Sequence, residues 1–184
     1  MKRLLRWLGV MSSAAVLSAS PAAAEEPGWF QGVRSKLTDI WQTGSSDILV
    51  PLHTHHLRSA YDSSKIDSYQ ENPYGLGYGR SKLDGDGDLQ GVYAMTFQDS
   101  DHKPSYMAGY MFQKFWRPAA DWRVGGGFTA FVMARSDTWH YTPFPAALPF
   151  GSIGYKRLAI EATYVPGGNG YGNVIFIWSR FHLD

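Results

Sequence analysis

Asp99 and Ser100 set an acid beside a hydroxyl at the end of the most regular stretch of the chain, Gly91 to Gln98. In that stretch Tyr93, Met95 and Phe97 fall on one face, and Val92, Ala94, Thr96 and Gln98 on the other. This is the period of a half-buried strand, not of a helix. The pattern breaks after Gln98 into a polar loop, Asp101 to Ser105. Such a strand is apolar on one side and delivers polar chemistry to a loop. Neighbouring strand residues point to opposite faces, so the Asp-Ser pair alone does not imply a linear Ser-His-Asp relay.

Three other groupings have chemical spacing. His53 and His55 lie two apart on a strand and could chelate zinc, but no third ligand is visible, and they read as outer-surface histidines. Asp84-x-Asp86-x-Asp88 imitates a calcium loop. Met95 stands where that loop needs its glutamate, so the segment reads as a hairpin turn. Gly75-x-Gly77-x-Gly79 is not a nucleotide loop, because no helix follows it.

The elements that position these groups follow from composition and period. A chain of 184 residues makes one compact domain. A net charge of +1 gives no field to attract nucleic acid. Aromatics at 15 % with frequent glycine suit a tightly curved sheet better than a helical bundle. Lys2, Arg3 and Arg6, the short apolar run Leu8 to Leu17 and Ala22-Ala23-Ala24 form a signal peptide over residues 1–24, with the mature chain starting near Glu25. An exported chain without cysteine must hold its fold by hydrogen bonds and packing, as a closed barrel does.

Residues 28–43 read as a helix, with Trp29, Phe30, Val33, Leu37, Ile40 and Trp41 on one side. It suits either a membrane interface or a soluble core. Eight strand-like runs follow, about 48–61, 73–83, 90–99, 105–117, 122–135, 145–156, 157–166 and 173–183. Tight turns at 84–88, 118–121 and 155–157 alternate with mostly longer, polar connections, the plan of an up-and-down outer-membrane barrel. The expected fold is all-β: an eight-stranded antiparallel transmembrane β-barrel over 48–183 with an N-terminal amphipathic helix, interfacial where the barrel sits in a membrane.

The expected inward faces change character along their length. The last strand begins with Val174, Phe176 and Trp178 and ends with Arg180 and His182; the fourth passes from Met107, Gly109 and Met111 to Gln113. In the fifth, Phe131 and Met133 share the inward face with Thr129. The lumen is therefore expected to be apolar toward the long loops and polar below. An apolar chamber lined by Met107, Gly109, Met111, Phe131, Met133, Phe176 and Trp178 could hold a hydrocarbon chain. The plainer alternative is that these side chains fill one another.

Over nearly the whole mature length the chain resembles the PagP family of lipid A palmitoyltransferases. The resemblance is carried by an ordered set of segments: Arg58-Ser-Ala-Tyr-Asp62, Tyr93 to Ser100, Ala108-Gly-Tyr110, Phe115-Trp-Arg-Pro118, Gly127-Phe-Thr-Ala130, Leu148-Pro149, Ser152-Ile-Gly-Tyr155, Thr163-Tyr-Val-Pro-Gly167 and Gly172-Asn-Val174. It implies catalytic residues at His56, Asp99 and Ser100, and no cofactor or metal. It also implies gaps in the barrel wall flanked by Pro51 and Pro73 on one side and Pro149 and Pro166 on the other. Proline lacks the donor a ladder needs, so a lipid tail could enter sideways there. Met111 stands where the family commonly has a small residue, so a shorter acyl chain is expected. The C-terminus, Phe181-His-Leu-Asp184, lacks the terminal aromatic common in outer-membrane proteins.

The implied activity moves an acyl chain, palmitoyl or shorter, from a glycerophospholipid donor to a hydroxyl of lipid A. The implied protein is a monomer in the outer membrane of a Gram-negative bacterium, with its site facing the exterior. In this scheme His56 is the base, Asp99 stabilises its cationic form, and Ser100 is nucleophile or hydrogen-bond donor. Two other classes fit the same residues: an outer-membrane phospholipase, and a non-catalytic structural or lipid-binding barrel.

Overall fold

The computed structural model describes residues 28–168 and 171–183; the expected signal peptide, 1–24, lies outside them. Helix α1 (Trp29–Thr43) is followed by strands β1 (Ser45–His56), β2 (Gly75–Leu83), β3 (Leu89–Gln98), β4 (Pro104–Ala119), β5 (Trp122–Ala134), β6 (Phe144–Tyr155), β7 (Leu158–Val165) and β8 (Val174–His182). Each strand pairs antiparallel with the next and β8 with β1, closing the barrel. Closure of β8 on β1 leaves no strand at the edge of an open sheet, as a membrane-embedded sheet requires. No described helix is long and apolar enough to cross a membrane.

Alternation sets the two faces. Leu76, Val124, Phe128, Val132, Ile153, Leu158 and Phe181 point outward and are exposed. Tyr74, Tyr106, Tyr164 and Tyr171 lie exposed toward one end, and Trp116, Trp122 and Tyr155 toward the other, the girdles of a transmembrane barrel. The tight turn 84–88 is held by Asp84, whose Oδ1 accepts the backbone N–H groups of Asp86 and Asp88 at 3.0 Å each. The acidic triplet is thus spent on turn geometry, as expected for a hairpin.

Inside, Leu49, Leu89, Tyr93, Met95, Phe97, Met111, Phe150 and Trp178 form one buried cluster, with Met107, Phe115, Met133 and Phe176 packed against it. Below Met111 the lumen is filled by charged and polar side chains. Arg180 Nη2 donates to Glu161 Oε1 at 2.8 Å and to Gln113 Oε1 at 3.4 Å, and Asp47 lies 3.8 Å from the same guanidinium. Gln113 and Glu161 are fully buried, so each needs these partners. The expected change from apolar to polar down the lumen is therefore present.

Helix α1 lies against β2 and β3 at the tight-turn end. Ile40 is buried, and Asp39 pairs with Lys82 of β2 at 2.7 Å. Trp29, Phe30, Val33 and Trp41 remain exposed, leaving an apolar side of the kind an interfacial helix gives to lipid.

Two expected boundaries shift. The first strand, expected over 48–61, begins at Ser45 and stops at His56; a 3₁₀ turn at Arg58–Ala60 and a short helix α2 (Ser63–Asp67) follow. Leu57 N–H bonds to Asn173 O across the rim, one step beyond the last paired residues His56 and Val174. Within β1, the register against β8 slips between Pro51 and His53, so exposed Leu52 is an extra residue. This bulge reverses the alternation beyond it.

Candidate active site

The bulge decides which histidine faces inward. Asp47, Leu49 and Pro51 are buried on the inner face, and regular alternation would continue with His53 and His55. With Leu52 extra, Thr54 and His56 pair with the inward Phe176 and Val174, while His53 and His55 pair with Ile177 and Ile175 on the outer face. His56 is therefore 3 % exposed at the upper end of the lumen. His53 and His55 lie outward, as expected.

His56, the last residue of β1, and Ser100, in the turn after β3, meet at the rim. Ser100 Oγ lies 3.1 Å from His56 Nε2. On the other side of the ring, Glu71 Oε1 lies 3.0 Å from Nδ1. A carboxylate only accepts, so Nδ1 carries the hydrogen and Nε2 presents its lone pair to the Ser100 hydroxyl. The ring is stacked on Tyr69 at 4.6 Å and meets the edge of Tyr61 at 5.2 Å. Serine, imidazole and carboxylate thus stand in line, with the base oriented by a third group.

The third group is not the aspartate that the resemblance supplied. Asp99 Oδ1 accepts the backbone N–H groups of Asp101 and Lys103 at 3.0 and 2.8 Å, and Oδ2 is buried without a partner. The Asp99 backbone closes the same loop, its N–H donating to Lys103 O at 2.7 Å. Asp99 shapes the turn that carries Ser100 and makes no hydrogen bond to His56.

Glu71 sits in the loop before β2. Its Oε1 also accepts the His56 backbone N–H at 3.1 Å, and its Oε2 accepts from Arg58 Nη2 at 2.8 Å. Partial burial pushes its pKa up, but the His56 backbone N–H, Arg58 and the His56 ring outweigh that and bring it down to about 2. It is a carboxylate at any working pH. Sequence reasoning missed it, because an acid in a polar, aperiodic loop carries no local signal.

The wall opens where prolines stand. The β1–β2 ladder ends at Leu49–Gly77, short of Pro51 and Pro73. Above it, on the edge turned away from β8, a loop takes the place of β2, Thr54 N–H donating to Glu71 O at 2.7 Å. The β6–β7 ladder ends at Phe150–Thr163, with Pro149 next on one strand and Pro166 just beyond the other. Met107, Gly109, Met111, Phe131, Met133, Phe176 and Trp178 all line the inner face, with Phe176 stacked on Trp178 at 5.7 Å. Met107, Met133 and Phe176 keep part of their surface open, whereas Met111 is 2 % exposed at the floor.

Residues 36–180 match the family described as antimicrobial peptide resistance and lipid A acylation protein PagP. The chain is 48% identical over 157 residues to the lipid A acyltransferase PagP of Laribacter hongkongensis (strain HLHK9), covering 85% of this chain and 76% of that one. It is 46% identical over 169 residues to the protein of the same name from Serratia proteamaculans (strain 568), covering 90% and 85%. The protein of that name from Musicola paradisiaca (strain Ech703) is 42% identical over 184 residues, 98% of this chain and 95% of that one.

Proposed function

The chain belongs to the PagP family, and from that premise we propose that His56, Ser100 and Glu71 carry acyl transfer from a glycerophospholipid to lipid A. The protein is a lipid A acyltransferase built as an outer-membrane β-barrel. The observation that carries the assignment of residues is the unbroken line Ser100 Oγ, His56 Nε2, His56 Nδ1, Glu71 Oε1 at the upper end of an apolar lumen.

His56 Nε2 takes the proton of a hydroxyl as that oxygen attacks the donor ester carbonyl. The tetrahedral oxyanion then collapses, the glycerol oxygen leaves, and His56 returns the proton to it. Glu71 stabilises the imidazolium formed between these steps. In a covalent route the first hydroxyl is that of Ser100; in a direct route it is that of lipid A. Intact-mass measurement after exposure to donor alone separates the two. Asp99 acts by holding the Ser100 turn.

The donor's acyl chain lies in the lumen, with its ester at the rim and its methyl end toward Met111. It enters where the β1–β2 or β6–β7 ladder stops, beside Pro51 and Pro73 or Pro149 and Pro166. Long loops mark the outer side of such barrels and short turns the periplasmic side. His56 lies at the long-loop end, so the site faces the cell exterior.

The test is incubation of the protein with defined phospholipids and lipid A in detergent, read by product mass. Added acyl mass on lipid A is expected, and its loss in folded His56→Ala and Ser100→Ala. Free fatty acid without acylated lipid A would assign the site to a phospholipase. Undiminished transfer in both variants would remove these residues from the mechanism.

A further inference from the structure

We propose that His53, His55 and Glu71 form a binding site for a divalent transition metal of the Zn²⁺ class, and that its occupation loosens the hold of Glu71 on His56. The coupling half of this proposal rests on the reading of His56 as the base.

The site is made by the β1 bulge. By turning His53 and His55 outward together, it stacks their rings at 6.2 Å. A ring nitrogen from each and a Glu71 carboxylate oxygen lie within 4.8 Å of one another. Two imidazoles and a carboxylate, with a fourth position left to solvent, form a recurrent zinc set. With metal–ligand bonds of about 2.0–2.2 Å, the ligand atoms need draw in by only about 1–1.5 Å. One ligand is already oriented: His53 Nδ1 lies 2.9 Å from Asn72 Oδ1. That oxygen accepts, so the hydrogen is on Nδ1 and Nε2 offers its lone pair. This is the outer-shell contact that fixes metal-binding imidazoles. All three residues are partly exposed at the rim, so an ion can reach them.

Glu71 makes the site consequential. Both its oxygens are in use, Oε1 by His56 and Oε2 by Arg58. A dication that takes the carboxylate competes with the single charge of Arg58 and draws electron density from the oxygen that orients the His56 ring. Metal binding and a correctly held His56 then oppose each other, and linkage makes the opposition mutual. The sequence hides this arrangement, because Glu71 reaches the two histidines only when its loop docks along the edge of β1 that β2 leaves open.

The experiment is a ZnCl₂ titration of the metal-free, detergent-folded full chain, followed by calorimetry and by acyl-transfer rate. One saturable, His53- and His55-dependent zinc per chain is expected, with transfer slowed about tenfold or more at saturation as the base loses its orientation. The His53→Ala/His55→Ala double variant should keep the zinc-free rate and lose both binding and inhibition. Asn72→Ala should weaken zinc binding about tenfold while leaving the fold intact. Mg²⁺ at the same concentration should do neither, since it disfavours imidazole. Heat-modifiable migration reports that each variant is folded. Equal zinc binding by the double variant overturns the site, and zinc bound to the native chain without slowing overturns the coupling. Failure of the zinc-free protein to acylate lipid A would count against the proposed function, leaving calorimetry to judge the metal site.

Discussion

A single oxygen of Glu71 holds His56 twice: Oε1 accepts the His56 backbone N–H at 3.1 Å and its ring Nδ1–H at 3.0 Å. One atom thereby fixes the end of β1 and the tautomer of the imidazole. Glu71→Gln removes the charge that stabilises an imidazolium and can present an NH₂ where an acceptor is needed. We expect kcat to fall by about 10²-fold with KM nearly unchanged, the signature of an interaction made mainly in the transition state. Steady-state kinetics on defined donor and lipid A checks this. A change confined to KM would make Glu71 a substrate-binding or purely structural group.

Asp99 separates a turn-holding role from an electrostatic one. Asn at this position keeps an oxygen that can accept from Asp101 and Lys103 N–H, whereas Ala keeps none. Asp99→Asn is expected to retain transfer within about tenfold of the native rate, and Asp99→Ala to lose about 10²-fold or more as Ser100 drifts from His56. Equal, severe loss in both variants would mean that the carboxylate charge itself is required.

If the acyl chain lies in the lumen as proposed, Met111 is the residue that limits its depth. It is buried among Leu49, Tyr93, Met95 and Trp178, directly above Gln113 and the ion network. Removing its side chain opens a space worth a few methylenes that close-packed neighbours only partly refill. Met111→Gly is expected to move the preferred donor chain longer by about two to four carbons, at a stability cost of about 2–5 kcal/mol. Competition among phospholipids of graded chain length measures it; an unchanged preference would put the measuring floor elsewhere.

The ion network below that floor should serve stability and not chemistry. Arg180→Met leaves Glu161 a buried carboxylate without its cation, while Asp47 loses the more distant guanidinium and keeps Ser81 and His182. Removing one partner of a buried pair costs about 3–5 kcal/mol. Denaturant unfolding in micelles should show that loss, while the folded fraction keeps its native donor preference. A shifted chain-length preference at full stability would reverse the assignment.

Much of the barrel was legible because a strand writes its faces into the chain at every second residue. The alternation of Tyr93, Met95 and Phe97, and the passage from Phe176 and Trp178 to Arg180, mark the wall, its apolar inner half and its polar floor without any knowledge of partners. Proline chemistry marks the places where ladders stop, because a missing N–H is a local fact. Asp99 and Ser100 could likewise be placed at a strand end from the break in pattern alone.

Which groups meet at the rim was settled only by closure of the sheet. Pairing of β1 with β8 leaves Leu52 over as a bulge, and that one residue turns His56 inward and His53 and His55 outward. Nothing in the local period announces such a slip, since it arises from the register of strands more than a hundred residues apart in the chain. The same holds for Glu71, fifteen residues from His56, which finds the ring because β2 stops pairing with β1 at Leu49 and leaves that edge of the upper strand open. Periodicity records which way a side chain points relative to its neighbours. Long-range hydrogen bonding decides what it touches.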